Sequence, residues 1–175
     1  MSNVFFISDL HLGHKRILEF SPMRGGSTID EHDEWIVQQW NSVVGPKDLT
    51  WVHGDVCFDI NKLHFLSRMN GRKNLILGNH DQKIGFRLYE PYFEHIGWFQ
   101  KKYDCWLSHA PIHPSELRGL VNVHGHCHDR RIKGLDYVNV CVERLDGKPL
   151  PLDAIRDLQM FRNETAKPRA LNMED

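Results

Sequence analysis

Residues 4–11 read Val-Phe-Phe-Ile-Ser-Asp-Leu-His, four apolar residues followed by mostly polar ones. An apolar run that is rich in β-branched and aromatic residues and does not alternate with polar ones is typical of a strand buried on both faces. Ligands of open α/β sheets bind beyond the carboxyl ends of such strands. The stretch therefore predicts a buried strand that leads directly to a candidate site at Asp9 and His11.

The same arrangement recurs along the chain and predicts the other elements. Further buried strands are expected at 49–52, 75–77, 105–107, 120–123 and 137–141. Helices are expected over 16–20, 30–44, 60–69 and 152–162, with a helix-then-strand unit over 82–104. Strands that alternate with helices indicate an α/β fold.

Composition restricts the class of protein. With 175 residues, 41% of them hydrophobic and 26% charged, the chain is an ordinary globular one rather than a disordered or coiled-coil one. We expect one domain over residues 1–163 and a flexible C-terminal tail over 164–175, which is polar and contains Pro168. The formal net charge of -1 encodes no bulk attraction to nucleic acid.

The location of the protein is also predicted from composition. No apolar run approaches the roughly 18 residues that a membrane helix needs. Residues 1–10 lack the basic region and cleavage site of a signal peptide. We therefore expect a cytoplasmic protein without membrane partners, whose four scattered cysteines are free thiols.

Polar residues follow five of the predicted strands and form candidate metal-ligand clusters. They are Asp9-Leu10-His11, Gly54-Asp55, Gly78-Asn79-His80-Asp81, His109 and Gly125-His126-Cys127-His128. Taken alone, each cluster apart from the tetrapeptide 78–81 is better explained as a polar turn or as surface histidines. Five clusters in succession behind strands indicate one metal site. Oxygen and imidazole donors suit Mn, Fe, Zn or Ni.

Spacing within two of the clusters predicts how the ligands point. Asp9 and His11 are two residues apart, as are His126 and His128. In extended chain such side chains lie on the same side, so each pair is expected to reach one ion. By the same alternation, the Cys127 thiol is expected to turn away from the metals and to pack inside.

The five clusters resemble, in order, the motifs of the calcineurin-like metallophosphoesterase superfamily. The resemblance covers residues 4–128, and every ligand position of the motifs is present. The chain is most similar to the compact bacterial and phage members, which lack a cap domain. The resemblance implies an α/β fold in which a sandwich of two β-sheets is flanked by helices.

The resemblance also implies a role for each residue of the site. The first divalent ion would be bound by Asp9, His11 and His128, the second by Asn79, His109 and His126, with Asp55 bridging both. His80 would face the substrate as a catalytic residue, and Asp81 would orient it. Metals vary among family members, and from the resemblance we expect Mn²⁺ here, with Fe, Zn or Ni as alternatives.

The activity implied is hydrolysis of a phosphodiester or phosphomonoester by in-line attack of a metal-bridging hydroxide. The substrate would be a phosphate-ester small molecule, a nucleotide or a nucleic-acid end, and the open site favours a nucleotide-type ester. The alternative is a non-catalytic scaffold on the same fold. The intact set of ligands favours the enzyme, because degenerate relatives are expected to lose ligands or His80.

Residues outside the motifs are further candidates for the site. Cationic groups at His14, Arg130 and Arg131 are expected to contact substrate, although a helix start and a solvated loop are competing readings. His53 and His124 precede strand-end glycines and are expected to lie in the core or behind the ligands.

Overall fold

A computed structural model describes residues 2–166, in which two β-sheets pack together with helices around them. The first sheet contains β1 (Val4–Ile7), β2 (Leu49–Val52), β3 (Arg72–Ile76), β4 (His95–Gly97) and β9 (Leu150–Pro151). The second contains β5 (Phe99–Lys102), β6 (Cys105–Ser108), β7 (Val121–His124) and β8 (Tyr137–Asn139). The α/β fold class with two sheets, predicted from the sequence, is confirmed.

The helices are short, apart from two. They are α1 (Ile17–Phe20), α2 (Ile29–Asn41), α3 (Phe65–Arg68), α4 (Asp81–Ile84), α5 (Val142–Leu145) and α6 (Leu152–Ala166). Single 3₁₀ turns lie at Ile60–Lys62, Phe86–Tyr89 and Pro114–Glu116. Among the residues described, no helix is long and apolar enough to cross a membrane.

Parallel pairing brings the strand ends that carry the candidate ligands to common edges. In the first sheet the order is β4-β3-β2-β1-β9, with β1 to β4 parallel and β9 antiparallel to β1. In the second sheet β6, β7 and β8 are parallel, and β5 runs antiparallel to β6. Each sheet thus directs the carboxyl ends of its central strands to one edge.

The two faces of β1 supply two separate parts of the core. Phe5 and Ile7 point to one side and pack in a cluster with Ile36 and Trp40 of α2. Phe6 points to the other side, into a cluster that contains residues of β6 and β7 in the second sheet. This alternation explains why β1 reads as continuously apolar, since both of its faces are buried.

Beside the candidate site, the two sheets are joined by backbone hydrogen bonds between the segment after β1 and the segment after β8. The Ser8 N–H donates to the Val140 carbonyl at 2.8 Å, and the Val142 N–H donates to the Ser8 carbonyl at 3.1 Å. Ser8 directly precedes Asp9, and Val142 is the first residue of α5. The start of α5 is therefore held against the first candidate ligand.

The bounds of several elements differ from the sequence predictions. The helix predicted over 30–44 ends at Asn41, and the one over 60–69 is a 3₁₀ turn followed by α3. The unit over 82–104 contains two strands, β4 and β5, one in each sheet.

The C-terminal tail predicted over 164–175 is wrong at its start. Helix α6 continues to Ala166, beyond the end predicted at residue 162. The rest of that tail, residues 167–175, lies outside the described part of the chain.

Removing a side chain from between the sheets tests this packing. Phe6 is fully buried there, and Phe6→Ala is expected to lower the free energy of unfolding by about 3–5 kcal/mol, because it leaves a cavity. Phe86 is 53% exposed, so Phe86→Ala is the matched control, with an expected change within about 0.5 kcal/mol. Urea unfolding of the metal-free proteins measures both. Equal effects of the two substitutions would contradict the assignment of Phe6 to the core.

Candidate metal centre

The structure gathers the predicted ligands from both sheets into two adjacent groups. Asp9, His11 and His128 offer ligand atoms that all lie within 4.8 Å of one another, and so do Asp55, His109 and His126. We refer to them as the Asp9 group and the His109 group. The division of His126 and His128 between two groups corrects the expectation from spacing that this pair reaches one ion.

The Asp9 group presents buried acceptor atoms with no hydrogen-bond partner. Asp9 Oδ1 lies 3.6 Å from His11 Nε2 and 3.8 Å from His128 Nε2. Asp9 is fully buried, and neither its Oδ1 nor His11 Nε2 forms a hydrogen bond. Buried polar atoms are normally paired, and these unpaired acceptors are of the kind that a cation could satisfy.

The His109 group contains acceptors that face one another. His109 Nδ1 donates to the His53 carbonyl at 2.7 Å, which leaves Nε2 as the lone-pair nitrogen. That Nε2 lies 2.8 Å from Asn79 Oδ1 and 3.1 Å from His126 Nδ1. A nitrogen lone pair beside an amide oxygen is repulsive unless a cation lies between them. Asn79 therefore belongs with this group, as expected.

Asp55 lies between the two groups. Its Oδ2 is 3.6 Å from His109 Nε2 and 3.9 Å from His11 Nε2. The other oxygen, Oδ1, accepts a hydrogen bond from the His80 backbone N–H at 2.9 Å. One carboxylate oxygen thus faces ligands of both groups, which is the position that a bridging ligand requires.

The protonation states suit divalent cations. Burial lowers the pKa of His11 to about 4, so this imidazole is neutral near pH 7 and can ligate. Burial opposes ionisation of Asp9, but the neighbouring His11 and His109 side chains together hold the pKa of that carboxyl below its ordinary value. Carboxylate, amide and imidazole donors fit first-row divalent metals.

Backbone strain is concentrated at the candidate ligands. Asp9, His11, Asp55, His126 and His128 all have φ between 50° and 66°, in the left-handed region. Such conformations cost about 1–3 kcal/mol each and persist at functional sites when the surroundings enforce them. The expectation of extended chain at Asp9–His11 and His126–His128 is therefore wrong.

Two glycines allow the loops to approach so closely. Gly54 has φ of +87°, and a Cβ there would lie 2.5 Å from the Gly78 nitrogen. A Cβ on Gly125 would lie 2.5 Å from Asp9 Oδ2, the oxygen that accepts from the His126 N–H. These contacts agree with the expectation that glycines permit close backbone approach at the site.

Asp81 does not orient the His80 ring, contrary to expectation. Its carboxylate accepts hydrogen bonds from the backbone N–H groups of Asp55, Val56 and Gly78 and from the Tyr89 hydroxyl. The His80 Nδ1 atom has no hydrogen-bond partner. Asp81 instead ties the loops after β2 and β3 together, because its two oxygens satisfy N–H groups of both.

The three expected substrate-binding residues separate. His14 and Arg130 line a cavity of about 490 Å³ together with the Asp9 group residues His11 and His128. Arg131 lines a different cavity with Tyr137, so the expectation that it faces the site is wrong. Consecutive residues of an irregular loop point in different directions, which separates Arg131 from its neighbour.

The histidine and cysteine predictions outside the motifs have mixed outcomes. His53 and His124 are fully buried, and His53 holds His109 as described above, which agrees with a place behind the ligands. All four cysteines are free. Cys127 is half-buried and lines the same cavity as His126.

Two residues that contact the site were not predicted from the sequence. Glu143 Oε1 lies 2.9 Å from His128 Nδ1, and Arg24 donates to the same oxygen at 2.7 Å. Burial opposes the charge of Glu143, but the hydrogen bond from His128 and the charge of Arg24 lower the pKa of this carboxyl to about 2. Glu143 follows a predicted strand, like the recognised ligands, and that position was its available signal.

Metal titration tests the centre directly. Metal-free protein is expected to bind two Mn²⁺ ions per chain, with a rise in the unfolding midpoint, because ions that bind only the folded state stabilise it. At 100 times the dissociation constant the gain for one ion is about 2.7 kcal/mol. Calorimetric titration and thermal unfolding measure the two effects.

Two histidine variants, one at a candidate ligand and one away from the site, serve as controls for this titration. His109→Ala is expected to lose one ion, whereas His113→Ala is expected to keep both, since His113 is an exposed N-cap residue. Identical binding by these two variants would contradict the assigned centre.

Comparison with known proteins identifies relatives whose sequences are similar to that of this chain. It is 34% identical over 168 residues to the Gene 66 protein of Mycobacterium phage L5, covering 75% of this chain and 80% of the relative. The Gene 66 protein of Mycobacterium phage D29 is 31% identical over 167 residues, covering 76% and 82%. No family model matches the chain.

Two prokaryotic proteins extend the set. An uncharacterized protein of Methanocaldococcus jannaschii is 31% identical over 170 residues, covering 89% of this chain and 90% of the relative. A crystal structure of an Aquifex aeolicus protein of unknown function matches with a TM-score of 0.74 and 25% identity, over 90% of this chain and all of that one. The chain belongs to the family of the mycobacteriophage Gene 66 proteins.

Proposed function

We propose that the chain is a phosphoesterase dependent on two divalent metal ions, acting on a phosphodiester or phosphomonoester of the nucleotide type. The observation that carries the proposal is the pairing of the two acceptor groups around Asp55, with His80 beside them. The resemblance of the five clusters to metallophosphoesterase motifs supports the same reaction class.

The residues present fit two cations, as the orphaned acceptors indicate. The Asp9 group would hold one ion, and Asn79, His109 and His126 the other, with Asp55 facing both. Two bound divalent ions supply Lewis acidity, which attracts the phosphate and makes water a stronger acid. Because the protein's own net charge is -1, the metals would supply most of the positive charge that attracts a phosphate.

His80 is suited to act on the leaving oxygen. Its side chain is 34% exposed and lines the cavity that contains the ligands. Its backbone N–H donates to Asp55 Oδ1, which ties the backbone of His80 to the residue at the bridging position. The ring also packs against Phe58, at 4.9 Å between centroids. A histidine so fixed can donate a proton to the departing alkoxide as general acid.

Aromatic side chains around the cavity favour a nucleotide-type ester. Phe20 lines the cavity, is 61% exposed and lies 5.9 Å from the His14 ring between centroids. Bases stack on exposed aromatic rings with about 1–3 kcal/mol each. Arg130, at the same cavity, can pair with a phosphate. A planar base and a charged phosphate are the two parts of a nucleotide.

A hydrolysis panel tests the proposed activity. Protein reloaded with Mn²⁺, Ni²⁺, Zn²⁺ or Mg²⁺ is assayed on mono- and bis-aryl phosphates, nucleotides and cyclic nucleotides. His80→Ala is expected to lower kcat by about 10²–10⁴-fold with metal content unchanged, because it removes the proton donor. His64→Ala, an exposed histidine at the start of α3, is the control.

Two outcomes of the panel would overturn the proposal. The first is full activity of the His80→Ala variant. The second is a wild-type protein that holds two ions and hydrolyses none of the esters, which would support a non-catalytic scaffold instead.

The substrate class is tested at Phe20. Phe20→Ala is expected to lower kcat/KM about tenfold for a nucleotide ester, because stacking is lost, and to leave a simple alkyl phosphate unaffected. Phe86→Ala removes a similarly exposed ring from a different cavity and serves as control. Equal losses on both substrates would contradict a stacking role for Phe20.

A further inference from the structure

A buried cluster of charged residues lies directly behind the Asp9 group. Arg24 is 3% exposed, and the Glu143 side chain is 1% exposed. Arg24 donates to Glu143 Oε1 through Nε at 2.9 Å and through a terminal nitrogen at 2.7 Å. The Ser21 hydroxyl donates to the same oxygen at 2.9 Å. No residue of this cluster belongs to the predicted metal ligands.

Glu143 determines which nitrogen of His128 is free. Its Oε1 lies 2.9 Å from His128 Nδ1, so that nitrogen carries the proton and donates. The remaining nitrogen, Nε2, then has its lone pair available, and it is this atom that faces Asp9 Oδ1 at 3.8 Å. Metal-binding histidines commonly donate their second nitrogen to a carboxylate, which fixes the tautomer and ring orientation.

Arg24 connects Glu143 with the loop that carries Asp9 and His11. Its terminal nitrogens donate to the Asp9 carbonyl at 2.8 Å and to the Leu10 carbonyl at 3.1 Å. The loop is strained, since Asp9 and His11 have positive φ. One guanidinium thus holds the strained loop and neutralises the carboxylate that orients His128. It brings together segments 119 residues apart in sequence.

Stability alone is a weak explanation for such a cluster. Removing two charges from water costs about as much free energy as their attraction returns, so buried ion pairs add little net stability. A role at the candidate metal centre explains the position of the pair better, because Glu143 contacts the His128 side chain and Arg24 contacts the loop that carries Asp9.

We propose that Glu143, held by Arg24, is a positioning residue for the ion bound by the Asp9 group. It orients His128 and fixes its tautomer, while Arg24 holds the backbone of Asp9 and Leu10. This inference rests on the metal centre of the proposed function and does not depend on hydrolysis.

Metal affinity gives the first test. Glu143→Gln keeps the size of the side chain but removes the charge, and it is expected to weaken one of two Mn²⁺ ions by about 10–100-fold while the other keeps its affinity. Asp48→Asn is the matched control, because Asp48 is also a buried carboxylate, 7% exposed, that accepts two backbone hydrogen bonds. It directly precedes β2, at the end of that strand opposite to the candidate metal centre. Wild-type affinity for both ions in Glu143→Gln would overturn the proposal.

The tautomer of His128 gives a second test that needs only the wild-type fold. Nitrogen NMR of ¹⁵N-histidine-labelled, metal-free protein is recorded at alkaline pH, well above the ordinary pKa of histidine, so that the imidazole is neutral. The proton is expected on Nδ1 in the wild type, and on a mixture of both nitrogens in Glu143→Ala, which removes the acceptor. A wild-type spectrum with the proton on Nε2 would overturn the proposal, whether or not the variant folds.

The results distinguish this inference from the proposed function. A wild-type protein that binds two ions but hydrolyses no ester overturns the phosphoesterase and leaves the role of Glu143 standing. Hydrolysis together with wild-type affinities in Glu143→Gln does the reverse.

Discussion

The structure depends on one constraint, which is that acceptor atoms are held close together without donors between them. Asp9 Oδ1 and His11 Nε2 are buried and unpaired, and His109 Nε2 faces an amide oxygen at 2.8 Å. In water such atoms would be solvated, so only a rigid framework keeps them together. In the proposed metal centre a bound cation would satisfy these atoms, and the rest of the molecule can be understood as the framework that holds them.

The framework is built from parallel strand ends and from groups that hold the loops beyond them. Asp81 accepts N–H groups from the loops after β2 and β3, and Arg24 holds the carbonyls of the loop after β1. In both cases a charged side chain forms hydrogen bonds with backbone groups, and these bonds offset the strain of the left-handed residues. Glu143 and the His53 carbonyl then orient two ligand imidazoles. Candidate ligands that follow strands of two sheets are thereby brought together.

The central strands and most of the candidate ligands could be predicted from the sequence, because both depend on residues that are neighbours along the chain. Continuous apolar runs indicated β1 and β2 with their observed bounds, because both faces of these strands are buried. The positions of Asp55 and His109 after strands indicated the centre. The errors arise where local spacing was used for side-chain direction, since left-handed backbone at His126 and His128 replaces the extended chain assumed. Asp81 was misjudged because its partners are backbone groups from another loop.

The sequence by itself determined which residues could ligate a metal and that they follow buried strands, since residue type and apolar pattern are local properties. Only the tertiary structure decided how the ligands divide into two groups around Asp55. It also decided that Arg24 and Glu143, 119 residues apart, meet behind His128. The physical reason is that these contacts follow from the packing of one sheet on the other, and no local pattern encodes the distance between two sheets.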